Sequence, residues 1–124
     1  MSFSAALLEV LKMDGVVAIA TLGSDGPHMV NTWNSYVHAE DDGRLFIPAG
    51  NYRKTEANIA FNNQVLVTLG SSRVQGSHGP GTGFLLKGKA SFLTEGAEYD
   101  AMKSRFRWAR AVLCIAVDSA TQTI

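Results

Sequence analysis

Short runs of β-branched and aromatic residues recur along this chain, and each is cut off by a turn signal before it reaches the length of a stable helix. Val16 to Leu22 is the first, ended by Gly23-Ser24-Asp25-Gly26-Pro27, in which Asp-Gly is a hairpin signal. A second strand is expected from about His28 to Val37, then a turn at Asp42-Gly43 and a third strand from Arg44 to Pro48. Further strands are expected near Gln64 to Leu69, Phe84 to Leu93 and Val112 to Val117. The glycine-rich stretch Gln75 to Gly83 reads as a loop. Three short helices interleave: Ser2 or Ser4 to about Met13 with Gly15 closing it, Lys54 to Phe61, and Ala97 to about Arg107. About six strands joined by tight turns predict a mainly β barrel or sandwich with helices over its ends.

The chain has 124 residues and is 46% hydrophobic, which supports one domain over 1–124 with a core of its own. Lysine plus arginine and aspartate plus glutamate each number 11, so the formal net charge is zero. A nucleic-acid binder would show a basic excess, as would a binder of anionic membranes. No run approaches the roughly 18 apolar residues of a membrane span, and Met1-Ser2-Phe3-Ser4 lacks the basic start of a signal peptide. A cytoplasmic protein is expected, with neither nucleic acid nor membrane as partner. Cys114 is the only cysteine, which excludes an internal disulfide, and its β-type surroundings make it a core thiol. His28, His38 and His78 are scattered without a metal-binding spacing, and no nucleophile motif is visible. Neither a metal site nor a catalytic residue is assigned.

Three segments carry more polar and aromatic chemistry than a scaffold needs. Asn31-Thr32-Trp33-Asn34-Ser35-Tyr36 places two amides, disfavoured in strands, beside two rings. Strand alternation would set Asn31, Trp33 and Ser35 on one face and Thr32, Asn34 and Tyr36 on the other. The segment is either a solvated edge strand or a ligand wall, with amides for the edge of a heterocycle and rings to stack on it. In Pro48-Ala49-Gly50-Asn51-Tyr52-Arg53-Lys54-Thr55-Glu56 a strand ends, glycine permits a bend, and a helix begins at two cations and a hydroxyl. Free N–H groups at such a start suit a phosphate; the plainer reading makes Thr55 an N-cap and Lys54 solvated surface. Gly79 to Gly83 leads into a strand rather than a helix, so it is no phosphate loop. It is either a flexible connection or a place where backbone approaches a flat ligand. The basic stretch Lys103, Arg105, Arg107 and Arg110 is either a solvated face or a docking patch for an acidic redox partner.

Together with Gly15 to Thr21, Asp25 to His28, Lys54 to Asn58, Gly79 to Phe84 and Trp108 to Ala111, these segments resemble the FMN-binding split-barrel group. That group includes pyridoxamine-phosphate-oxidase-like and flavin-reductase-like proteins. The resemblance spans nearly the whole chain. It implies a six-stranded antiparallel split barrel, a homodimer, and one flavin mononucleotide (FMN) per subunit near the interface. By position, Asn31, Thr32, Trp33, Asn34, Ser35 and Tyr36 would line the flavin and its ribityl chain, with Ala49 and Gly50 passing close to it. Lys54 and Thr55 would hold the phosphate, Gly81, Thr82 and Gly83 would bound the ring, Trp108 would lie near it, and Ile124 would reach the partner's flavin. Asn51-Tyr52-Arg53 is bulkier and more basic than the group's usual approach to the lysine, and Ile124 replaces leucine. A small barrel is filled by its own side chains, so a flavin pocket must lie outside it, where a second subunit can cover it. The implied function is electron transfer through non-covalent FMN, with a flavin reductase or oxidase, or an FMN store, as alternatives.

Overall fold

In the computed structural model, which describes residues 2–124, the Ser4 hydroxyl accepts from Leu7 N at 3.2 Å and caps helix α1 (Ala5–Val10). Its inner residues Leu7 and Val10 are fully buried. The helix stops at Leu11 in ordinary right-handed conformation, so Gly15 is not its cap. Gly15 is there for space: a Cβ would run into the Asn34 amide and lie 2.7 Å from Gly70 O.

The strands are β1 (Val16–Gly23), β2 (Gly26–Trp33), β3 (His38–Ala39), β4 (Arg44–Ala49), β5 (Gln64–Gly76), β6 (Gly79–Leu93) and β7 (Ala111–Gln122). Helix α2 (Arg53–Phe61) follows β4, and α3 (Ala97–Arg105) follows β6. All pairings are antiparallel, in the order β2-β1-β5-β6-β7-β4-β3. The count is seven rather than six because the expected strand from His28 to Val37 is broken. It ends at Trp33, passes through a single 3₁₀ turn over Asn34–Tyr36, and resumes as the two-residue β3. Gln75 to Gly83 is not a loop either. β5 and β6 run through it as a hairpin, with a register shift between Ser71 and Gln75.

That break closes the sheet. β2 and β3 are its opposite edges, and laid flat, seven strands would separate them by about 29 Å. Only Asn34 to Val37 lie between Trp33 and His38, a stretch that reaches at most about 18 Å. The sheet must therefore roll until its edges approach, leaving a split where no ladder forms. Val17, Ile19, Leu45, Ile47, Val67, Leu86 and Leu113 from five strands meet Leu7 and Val10 of α1 in one core. Phe46, Met102 and Val112 form a smaller cluster beneath α3. Cys114 is half-buried against it, and burial pushes its thiol above the ordinary range, which leaves it a poor nucleophile.

Asn34 holds the junction. Its backbone N–H donates to Gly15 O at 3.0 Å. Its side-chain amide donates to Val10 O and Met13 O at 3.2 Å and to Gly70 O at 3.1 Å. Three carbonyls around one nitrogen fix the amide's orientation and leave Oδ1 buried without a partner. Asn34→Ala should remove this shared donor from the Val10, Met13 and Gly70 carbonyls and lower unfolding free energy by about 2–4 kcal/mol, read as a fall in the urea midpoint. A loss below about 1 kcal/mol would show that water replaces the amide at no cost.

Candidate functional site

The backbone between β4 and α2 adopts a conformation that β-carbon residues avoid. Tyr52 has φ 61°, in the left-handed region, and is the N-cap of α2. Its phenol O–H donates to Asn31 O of β2, and its ring packs on the main core. Burial pushes that phenol above its ordinary range, so it remains a donor at neutral pH. A left-handed N-cap turns its own side chain away, and no side chain caps the first turn of α2. Within that turn the Thr55 hydroxyl is fully buried and has no partner among the described residues. Lys54 Nζ lies 2.7 Å from Asp25 Oδ2 in the β1–β2 turn, and its hydrogen bond holds the Asp25 carboxyl below the usual range. Uncapped N–H groups, two adjacent cations and an orphaned hydroxyl are a set of donors whose chemistry suits an anion such as a phosphate.

Beside it lies an aromatic wall. Trp108 packs on Gly50, where a Cβ would sit 2.9 Å from Cε3 of the indole. Phe106 is 5.6 Å from Trp108 and 4.7 Å from Tyr36, and Tyr36 is 6.0 Å from Trp108, measured between ring centres. Trp108 keeps 53% of its surface exposed. Trp33, Ser35 and Tyr36 line an open groove of about 470 Å³ together with Asp14 and Gly15. A groove of about 280 Å³ between β3–β4 and α3, lined by His38, Glu98 and Arg105 among others, contains none of these residues.

Three members of the basic stretch, Lys103, Arg105 and Arg110, donate to backbone carbonyls, while the Arg107 side chain is exposed. Arg110 Nε and Nη2 donate to Asn51 O at 3.1 and 2.7 Å, and Nη2 also donates to Glu56 Oε1 at 3.0 Å. Its backbone N–H donates to Ala49 O at 2.9 Å. Arg110 thus ties the start of β7 to the bend at Gly50 and to the first turn of α2. Lys103 Nζ donates to Arg107 O and Ala109 O at 2.7 and 2.6 Å, which fixes the turn that carries Trp108. Arg105 Nη2 donates to Ser35 O at 3.4 Å.

The structure gathers Asn31, Trp33, Ser35, Tyr36, Gly50, Lys54, Thr55 and Trp108 along β2, the β4–α2 bend and the turn before β7. The alternation expected for β2 holds in exposure even past the strand's end: Asn31, Trp33 and Ser35 are exposed, Thr32 and Asn34 buried. One candidate is corrected. Asn34 is fully buried, its amide on three scaffold carbonyls, and offers a ligand no surface. Ala49 is also fully buried, so only its backbone lies near the site. Gly81, Thr82 and Gly83 lie in β6 and serve the chain end. The Thr82 hydroxyl donates to Ile124 O at 2.8 Å and accepts from Gln122 Nε2 at 2.9 Å, and Thr123 N–H donates to Gly83 O at 2.8 Å. Gly83 pairs with Gly70, the acceptor of Asn34, which joins this group to the first. Tyr52, Arg110 and Asp25 are additions. All three stood in quoted segments without a role at the site, and none has a local pattern that reveals its distant partner.

A rolled antiparallel sheet with an anion cradle and an aromatic wall on its outside defines a ligand-binding split barrel. The chain belongs to the pyridoxamine 5′-phosphate oxidase family, which matches residues 3–123. It is 59% identical over 116 residues to the FMN-binding protein of Nitratidesulfovibrio vulgaris (strain DSM 19637 / Miyazaki F), covering 94% of each chain. Its fold is shared by HupZ of Group A Streptococcus, with TM-score 0.77 at 19% identity over 98% of this chain and 94% of that one. An FMN-binding protein from Syntrophomonas wolfei gives TM-score 0.67 at 14% identity, covering 87% of this chain and 76% of that one.

Gly50→Ala tests the wall. The added methyl should push the half-exposed indole outward, changing near-ultraviolet dichroism and tryptophan emission while stability falls by less than about 1 kcal/mol. Unchanged spectra would mean that the indole does not rest on Gly50.

Proposed function

We propose that this chain binds FMN without a covalent link and transfers electrons through it. The observation that carries the reading is the uncapped start of α2, where the Thr55 hydroxyl is buried without a partner beside Lys54. An unmet buried hydroxyl costs about 1–3 kcal/mol, a cost that a phosphate oxygen would relieve. Thr55 is enclosed, so contact with it requires neighbouring side chains to give way. The N–H groups of the first turn and the Lys54 ammonium need less rearrangement. Asn31 and Ser35 would meet the ribityl chain and ring edge, and Trp33, Tyr36 and Trp108 would supply flat apolar surface. Bound there, FMN supplies the electron-accepting and electron-donating ring, while the chain holds it, orients it and limits water's access.

Measuring FMN and riboflavin on native protein and on Lys54→Met isolates the phosphate, which carries about −1.5 to −2 charges near neutral pH. The substitution should weaken FMN about 10- to 100-fold and riboflavin far less. Equal losses would make Lys54 a residue of the fold. Turnover of reduced nicotinamides at enzymatic rates would replace the carrier reading with a reductase.

The outward face of the sheet supports a homodimer as the functional unit. In register, Met29, Ala20 and Leu66 form one row across β2, β1 and β5, and Trp33 and Val16 another. Val16, Leu22, Met29, Trp33 and Leu66 are 46–63% exposed. Such a face, continuous with Trp33, suits a second copy that would also cover the flavin. Sedimentation at micromolar concentration should give about twice the monomer mass, and Ala20→Arg should give monomers with weakened FMN binding. A native monomer that holds FMN tightly would exclude the second copy as its cover.

A further inference from the structure

We propose that Asp25 sets how strongly the site prefers a phosphorylated flavin, by holding Lys54 in the ligand-free chain and then opposing the phosphate that takes its place. The inference rests on the reading of Lys54 as the phosphate's cation. Asp25 and Lys54 are 29 residues apart in sequence and meet at 2.7 Å, with side chains 65% and 47% exposed.

The carboxylate is not a stray surface acid. β1 and β2 pair as far as Gly23 and Gly26, so only Ser24 and Asp25 form the turn. Gly26 closes it at φ 114°, a conformation suited to glycine. The tip is clamped to α2, since Asn58 Nδ2 donates to Thr21 Oγ1 at 3.1 Å in a buried bond. A Cβ on Gly23 would collide with the Asn58 side chain and lie 3.1 Å from Asp25 Oδ1. The hairpin tip therefore lies directly against the helix, which keeps the Asp25 backbone beside Lys54 when a second anion arrives.

Charge fixes the sign of the effect. One ammonium beside Asp25 is locally neutral, and the other cation, Arg53, lies 4.0 Å from the Glu56 carboxylate and is counted with it. A phosphate bringing about −1.5 to −2 leaves that much uncompensated negative charge. Without the carboxylate, the same phosphate leaves only about half a charge to one charge uncompensated. Lys54 also needs no release from a partner before it can turn to the ligand. Riboflavin brings no charge and is indifferent to Asp25. Solvent exposure limits the effect: like charges several ångströms apart in water-like surroundings correspond to about a three- to tenfold change in affinity. Added salt should shrink it.

The test uses full-length protein freed of flavin, with FMN and riboflavin titrated at low and high salt onto native chain, Asp25→Asn and Asp25→Ser. Both replacements suit a two-residue turn, and the serine variant guards against the asparagine reverting by deamidation before Gly26. FMN should tighten about three- to tenfold in both variants at low salt, less at high salt, with riboflavin unchanged. Structural damage cannot produce a gain confined to the charged ligand. FMN affinity unchanged or weakened in both variants would overturn the proposal and make Asp25 a residue that holds Lys54 ready. Equal tightening of both flavins would overturn it too, because the phosphate would not be what Asp25 opposes. Lys54→Met, measured alongside, reports separately on the phosphate reading: equal losses of FMN and riboflavin there sink that reading, whatever Asp25 does.

Discussion

The amide nitrogen of Asn34 lies where the two edges of the sheet are brought together, and it binds three carbonyls from segments distant in sequence. Val10 O and Met13 O stand at the end of α1 and just past it, and Gly70 O stands in β5. Val10 O also accepts from Met13 N–H at 3.0 Å, so the amide adds a second donor there and binds the end of the helix to the sheet. Gly15 is small because the amide must come this close, and Gly70 because the Thr82 carbonyl of β6 lies 2.9 Å from where its Cβ would be. The 3₁₀ turn that follows sends the chain across the split into β3. It also brings Ser35 and Tyr36 to the groove that Trp33 lines, so that groove is a by-product of how the barrel closes.

A second constraint links the two halves of the site. Arg110 reaches the Asn51 carbonyl and the Glu56 carboxylate from the first residues before β7, two residues beyond Trp108. One guanidinium thereby ties the turn that carries Trp108 to the start of α2. The planar fork suits this work, because it satisfies a carbonyl and a carboxylate at once in a fixed geometry. Tyr52 adds the third tie by joining the same bend to β2 through Asn31 O.

Most of the strands and the start of α2 were legible because their signals are local: β-branched runs, Asp-Gly turns, and a glycine followed by cations and a hydroxyl. The amide pattern around Asn34 was also a true signal, but its cause was misread. An asparagine out of place in a strand marks a local need for hydrogen bonds, and sequence does not say whether ligand or backbone has that need. Gly79 to Gly83 read as loop because glycine runs are flexible in isolation; here they let β6 pair with Gly70 and Gly76 at close range. The last strand ran on to Gln122 through polar residues, carried by pairing with β6 rather than by propensity. Tyr52's left-handed backbone and the reach of Arg110 across 59 positions leave no local trace.

The two rims of the rolled sheet have a consequence for assembly. β3 is only two residues long, and β2 carries Pro27 near its start and has the Asn31 carbonyl occupied by the Tyr52 phenol. Both rims are poor templates for another strand, so the ladder offers little purchase for lateral growth into fibres. The broad apolar surface is a face, not a rim. Association through a face about a twofold axis uses the same patch on both molecules and leaves none for a third. The geometry that keeps these rims blunt is also what would let so much exposed hydrocarbon be tolerated, since sticking there terminates instead of propagating.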